Sequence, residues 1–149
     1  YNDVIEIQGS ENIIGLIKSL NIYAVIKNKE YHYEIYSIDN EKTDEGYFIL
    51  LSKGENSNLY LRKTKEFKDK VKAKDSFHKD ISAAFIDSES YYIKKDRVLF
   101  PVTKNKKEFL LQFPEMKDDL KKYMKSEKIN LKSEKDVIKL FNYMDTLLK

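Results

Sequence analysis

The 149-residue chain has no cysteine, so no disulfide and no thiolate metal centre contributes to its fold or chemistry. It has two histidines, His32 and His78, far apart and without partners at ligand spacing, against the four nitrogen or sulfur ligands of a structural zinc site. No zinc site and no cofactor are expected. Its four glycines are isolated, which excludes a glycine-rich phosphate cradle. No serine stands in a Gly-x-Ser-x-Gly elbow, so the usual signature of serine hydrolases is missing. Only Arg62 and Arg97 are arginine, against 26 lysines. That shortage argues against sequence-specific DNA reading, where bidentate arginine–guanine pairs are the commonest device. No apolar run approaches the roughly 20 residues of a transmembrane helix.

What is present is a charged, globular composition. Charged residues make up 36% and hydrophobic residues 41%, with a net charge of +3. The length fits one domain, able to bury a core without staples. The chain opens on Tyr1, which reads as a mature end after removal of a signal peptide, or as the edge of an excised segment.

Residues 1–102 read as strand-rich. After a short β-branched run at Val4–Ile7, Ile13–Ile17 fits a strand or a helix capped by Ser10, with Gly15 and the isoleucines favouring strand. The stretch Ile22–Ile26 and the stretch Tyr31–Tyr36 flank a polar Lys27–Glu30 turn, a hairpin pattern. In the second arm Tyr31, Tyr33 and Ile35 share one face, with His32, Glu34 and Tyr36 on the other. A second hairpin pairs Gly46–Leu51 with Asn58–Arg62 around Gly54. A third pairs Ser90–Lys94 with Arg97–Val102. Between them, residues 63–89 have little apolar pattern and are expected as a surface excursion. Residues 103–149 are helical: Asn105 with Glu108 and Ser133 with Asp136 make N-terminal caps, and Pro114 separates the first helix from the second. Met116, Leu120, Tyr123 and Met124 form one apolar stripe, and Val137, Leu140, Phe141, Met144 and Leu148 another. The expected fold is α+β: one domain over 1–149, an antiparallel sheet of about six or seven strands followed by three C-terminal helices.

Three features carry candidate chemistry. Asp39, Glu41, Asp44 and Glu45 gather carboxylates without the calcium-loop register, and a solvated hairpin loop is the expected reading. Residues 62–79 hold eight basic side chains against three acids with aromatics interleaved; Lys65, Phe67, Lys68, Lys70 and Lys72 are its candidate anion-binding positions. Among the eleven tyrosines, Tyr31, Tyr33, Tyr36, Tyr91 and Tyr92 fall on strands and are candidates for a recognition face, because tyrosine presents an apolar body and a polar tip.

The last hundred residues resemble an uncharacterised family of exported proteins of flavobacteria and other Bacteroidetes. The likeness rests on Gly46-Tyr47-Phe48, Leu59-Tyr60-Leu61-Arg62-Lys63, Tyr91-Tyr92-Ile93-Lys94 and Lys106-Lys107-Glu108-Phe109-Leu110. It continues through Leu120-Lys121-Lys122-Tyr123-Met124-Lys125 and Asp136-Val137-Ile138-Lys139-Leu140. Residues 1–45 match loosely, and the end Phe141-Asn142-Tyr143-Met144-Asp145 departs from the family's tyrosine-tyrosine-asparagine. The resemblance implies an exported, periplasmic or extracellular chain with a β-rich body, a lysine-rich helical end and no assigned catalytic residue. Together these features lead to the expectation of a non-catalytic exported interaction or accessory module whose partner is another envelope protein rather than nucleic acid. The competing expectations are a small-molecule or lipid carrier holding its ligand between sheet and helices, an anion-binding module using Arg62–Lys79, and a hydrolase built from acids or a serine–histidine pair meeting in space.

Overall fold

A computed structural model describes residues 4–20, 22–37, 43–69 and 82–148. Six strands form one antiparallel meander: β3 Tyr23–Ile26, β4 Lys29–Ser37, β5 Thr43–Lys53, β6 Ser57–Lys68, β7 Ala84–Lys95 and β8 Val98–Val102, each beside its sequence neighbour. Ahead of them β1 Glu6–Gln8 and β2 Ile13–Gly15 make a separate two-stranded sheet. Three helices follow: α1 Lys106–Leu111, α2 Lys117–Ser126 and α3 Glu134–Leu147. The α+β architecture expected from the sequence is the one observed.

Local chemistry explains the connections. The β3–β4 turn is shorter than the expected Lys27–Glu30: Lys27 and Asn28 alone span it, both with positive φ (49° and 62°), the backbone that two-residue hairpins require. At the β5–β6 turn the Gly54 N–H donates to the Ser57 carbonyl at 2.9 Å. A bulge between Leu50 and Ser52 shifts the β5–β6 register and lets the Ser52 hydroxyl reach Asn142 of α3. Both expected helix caps form: the Asn105 side chain accepts from the Lys107 N–H, and that of Ser133 from the Asp136 N–H. Pro114 opens a 3-10 turn, Pro114–Met116, that runs into α2, rather than α2 itself.

The two ends of the expected surface excursion over 63–89 are strand. Lys63–Lys68 and Ala84–Glu89 continue β6 and β7 as one ladder of twelve pairs. Cross-strand chemistry holds it: Lys63 faces Glu89, Lys65 faces Asp87, and Phe67 faces Phe85. Strand propensity here comes from partner complementarity, not from a buried apolar face, so hydrophobic periodicity does not reveal it. Lys70 and Lys72 lie outside the described residues, as do Asp39 and Glu41.

The sheet is packed on both faces. Ile49, Leu59, Leu61, Tyr91, Ile93 and Val102 meet the helical residues Phe109, Leu120, Val137, Phe141 and Met144 in the main core. Ile129 and Leu131, buried in the same cluster, pin the α2–α3 connection. On the opposite face the sheet curls until β4 approaches β8, and Tyr36, Phe48, Tyr60 and Leu99 form a second, smaller core inside the curl.

Candidate interaction surface

The exposed apolar side chains are concentrated rather than scattered. Val4, Ile7, Ile13, Ile14, Ile17, Leu20, Ile22, Tyr23 and Val25 are all exposed, from 41% to 71%. They run from the small β1–β2 sheet into β3, which has β4 on one side and, among the described residues, no strand on the other. A sheet edge offers unpaired backbone donors and acceptors, and proteins that need to stay alone blunt such edges with charge or proline. Here Tyr23-Ala24-Val25-Ile26 carries neither. The segment is anchored to the body at a few points. The Tyr47 hydroxyl donates to the Leu16 carbonyl at 2.7 Å, and Lys18 pairs with Glu45 at 3.1 Å while lying over the Tyr33 ring. Hydrogen bonds from Tyr33 and Lys18 hold the Glu45 carboxyl below its ordinary range.

A second exposed feature is the arm formed by the outer halves of β6 and β7. The rings of Phe67 and Phe85 lie 5.1 Å apart and both are more than half exposed. Lys63 bonds Glu89 at 2.6 Å, and that bond raises the ammonium's pKa, so this lysine's charge is met on its own face. Lys65 approaches Asp87 at 3.6 Å. At the arm's root an open groove of about 420 Å³ is lined by Asp87, Glu89, Tyr91, Lys104, Leu131 and Lys132. Of the expected anion-binding set, Lys65, Phe67 and Lys68 therefore share the arm; Lys65 faces the acid Asp87, whereas Lys68 faces Ala84.

The tyrosines are placed differently from the recognition face expected of them. Tyr33, Tyr36 and Tyr91 are buried, and Tyr31 and Tyr92 are partly buried against the two cores. Strand alternation sends Tyr31, Tyr33 and Tyr91 to the helical side and Tyr36 and Tyr92 into the curl, so the five do not form one open patch. The curl, invisible to periodicity, covers the side that a flat sheet would have left to solvent.

Inside that curl lies a polar network. Arg62, 8% exposed, donates from Nη1 to the Tyr36 hydroxyl and to Asp44 Oδ2 (2.7 Å), and from Nη2 to the Glu45 carbonyl (3.0 Å). Its guanidinium also lies 5.1 Å from the Tyr36 ring centre and 5.6 Å from that of Phe48. The Tyr36 hydroxyl in turn donates to Asp44 Oδ2 at 2.7 Å. Three strands away from Glu34 in sheet order, Lys94 reaches both its carboxylate oxygens at 2.5 and 2.6 Å. Asp44, one of the acids expected in a solvated loop, is thus a β5 residue tied to Arg62. No cluster of three or more potential metal ligands occurs among the described residues.

Tyr60 belongs to the same layer, edge-on to His32 at 5.3 Å. Burial, with the charges of Glu34 and Glu30, pushes its phenol up to about 12. Burial likewise raises Tyr92. A folded pKa above the unfolded one means that the native state holds its proton longer. The stabilisation is complete below about pH 10, where free tyrosine titrates, and is lost as pH rises towards 12. Stability measured by denaturant should therefore fall between pH 10 and 12, with a shallower fall in Tyr60→Phe; equal slopes in the two proteins would contradict this.

Neither a family model, nor a curated protein sequence, nor a solved structure matches the chain.

Proposed function

We propose that this chain is a non-catalytic exported interaction module that binds a protein partner along its N-terminal apolar edge. The observation that carries the reading is the run of nine exposed large apolar side chains between Val4 and Val25, continuous with an edge strand free of charge and proline. An extended segment of a partner adds to β3 by main-chain hydrogen bonds, with Tyr23, Val25 and Ile22 supplying the apolar contacts that select it. Export to the periplasm or cell surface, and a partner from the envelope, rest on the likeness to flavobacterial exported chains. The pairing of Lys63 with Glu89 and of Lys65 with Asp87 favours a protein partner over nucleic acid, because phosphate binding draws on cations that are not already answered. The space between sheet and helices, where a carrier would hold its ligand, is filled by Phe109, Leu120, Phe141 and Met144, each essentially fully buried.

The test is capture from an envelope extract by the wild-type chain and by the double variant Ile14→Lys, Val25→Lys. Both side chains are more than 60% exposed, so the variant should keep the wild-type melting temperature to within roughly 2 °C. It should lose at least about tenfold of the captured partner, since a charge on the edge strand opposes pairing. Unchanged capture by a folded variant, or no partner for the wild type, would overturn the reading.

A further inference from the structure

Of the chain's two arginines, Arg62 contacts Tyr36 and Arg97 shares a cleft with it, a site distinct from the apolar edge. Arg62 engages Tyr36 from within the curl. Arg97, in the β7–β8 turn, lines a cleft of about 150 Å³ between β4 and β8, where Tyr36 is also a wall. Ser37, Thr43 and Leu99 complete the lining, and Ile35 and Val98, each about half exposed, form the apolar rim.

The lining mixes an apolar body with a cationic end. Tyr36, Leu99, Ile35 and Val98 supply the apolar walls, Ser37 and Thr43 two hydroxyls, and Arg97 a guanidinium; among the described residues no carboxylate lines the cleft. The neighbouring Asp44 is engaged by Arg62 and the Tyr36 hydroxyl, so an acid is held beside the cleft but occupied. The volume matches an apolar cavity that accepts one benzene-sized molecule. In a chain where 26 of 28 basic residues are lysine, arginine at this position supplies what lysine does not, a planar fork that grips a carboxylate through two parallel bonds.

We infer that the β4–β8 cleft binds a small monocarboxylic acid with an aromatic or branched aliphatic body, its carboxylate on Arg97 and its apolar end against Tyr36 and Leu99. The curl of the sheet creates the site, since β4 and β8 are separated by three strands in sheet order.

Titration of the isotope-labelled full chain with sodium benzoate and with sodium isovalerate, followed by amide NMR, tests this. At least one acid should give saturable shifts confined to residues 35–37 and 97–99. Benzamide, isosteric with benzoate and uncharged, should bind at least about tenfold more weakly. Arg97→Gln should weaken the acid about tenfold and Arg97→Lys by less, both with wild-type spectra elsewhere because Arg97 is exposed. Absence of saturable shifts with either acid, benzamide binding equal to benzoate, or full affinity in Arg97→Gln would each overturn the inference. Capture of a protein partner by the N-terminal edge is unaffected by Arg97→Gln, so the two claims fail separately.

Discussion

Replacing Asp145 by alanine is expected to cost about 3–5 kcal/mol, the largest effect of any single polar substitution in the helical layer. Asp145 sits near the end of α3, 8% exposed, with its carboxylate turned onto the β5–β6 turn. Oδ2 accepts from the Glu55 N–H at 2.6 Å; Oδ1 accepts from the Ser57 hydroxyl at 2.6 Å and the Asn56 N–H at 3.3 Å. Alanine leaves these donors without a charged acceptor and removes the tie between helix and sheet. Asn56 adds a further link, donating from its amide to the Leu148 carbonyl at 2.7 Å. Gly54 explains why the approach is possible: a Cβ there would fall 2.3 Å from Asp145 Oδ2. Gly54→Ala should therefore destabilise through the same contact, by forcing the carboxylate off its donors. Thermal unfolding measures both; for a chain of this size the Asp145→Ala melting temperature should drop by roughly 10 °C. A change within about 1 kcal/mol would show that the turn finds other acceptors at little cost.

The second large effect is expected at Lys94→Met. Glu34 is buried and Lys94 is its partner across the curl, bonding both carboxylate oxygens. Removing the ammonium leaves a carboxylate in a layer of tyrosine and phenylalanine rings, a loss of about 3–5 kcal/mol when one member of a buried pair is deleted. The double variant Glu34→Met, Lys94→Met should recover much of that loss, because two apolar side chains of similar length fill the space without a charge to desolvate. Denaturant unfolding of the wild type, Lys94→Met and the double variant gives the comparison. A double variant no more stable than the single one would mean that the pair holds the curl open to its present radius, not merely that it neutralises itself.

The parts of the fold legible in the sequence are those where a local rule and the tertiary environment agree. Val137, Leu140, Phe141 and Met144 recur at helical spacing because one face of α3 meets the sheet, and Asn105 and Ser133 mark helix starts because their side chains satisfy orphan N–H groups. Hairpins announced themselves at Asn28 and Gly54 for similar reasons. The outer arm did not, since Lys63, Lys65 and Phe67 are matched by residues more than 15 positions away in sequence, and only pairing reveals the match. Nor did the curl: the alternation of Tyr31, Tyr33 and Ile35 with His32, Glu34 and Tyr36 assigns sides correctly but says nothing about whether a side is open. Buried Glu34 and Arg62 were the available signal, because charged residues alternating with tyrosines on one strand face imply partners on that face. The N-terminal apolar run has the β-branched composition of a strand, which does not reveal its exposure; that follows from the lack of a layer above β1 and β2 among the described residues.

Site-specific photo-crosslinking tests the interaction reading most directly. A photoreactive side chain placed at Val25, on the edge strand, is compared with one at Lys121, on the exposed side of α2, in chains incubated with the same envelope extract. The expected result is one discrete crosslinked partner from position 25 that is missing from position 121 and disappears when Ile14→Lys is added. The same products from both positions, or none from position 25, would contradict a partner seated on the N-terminal edge.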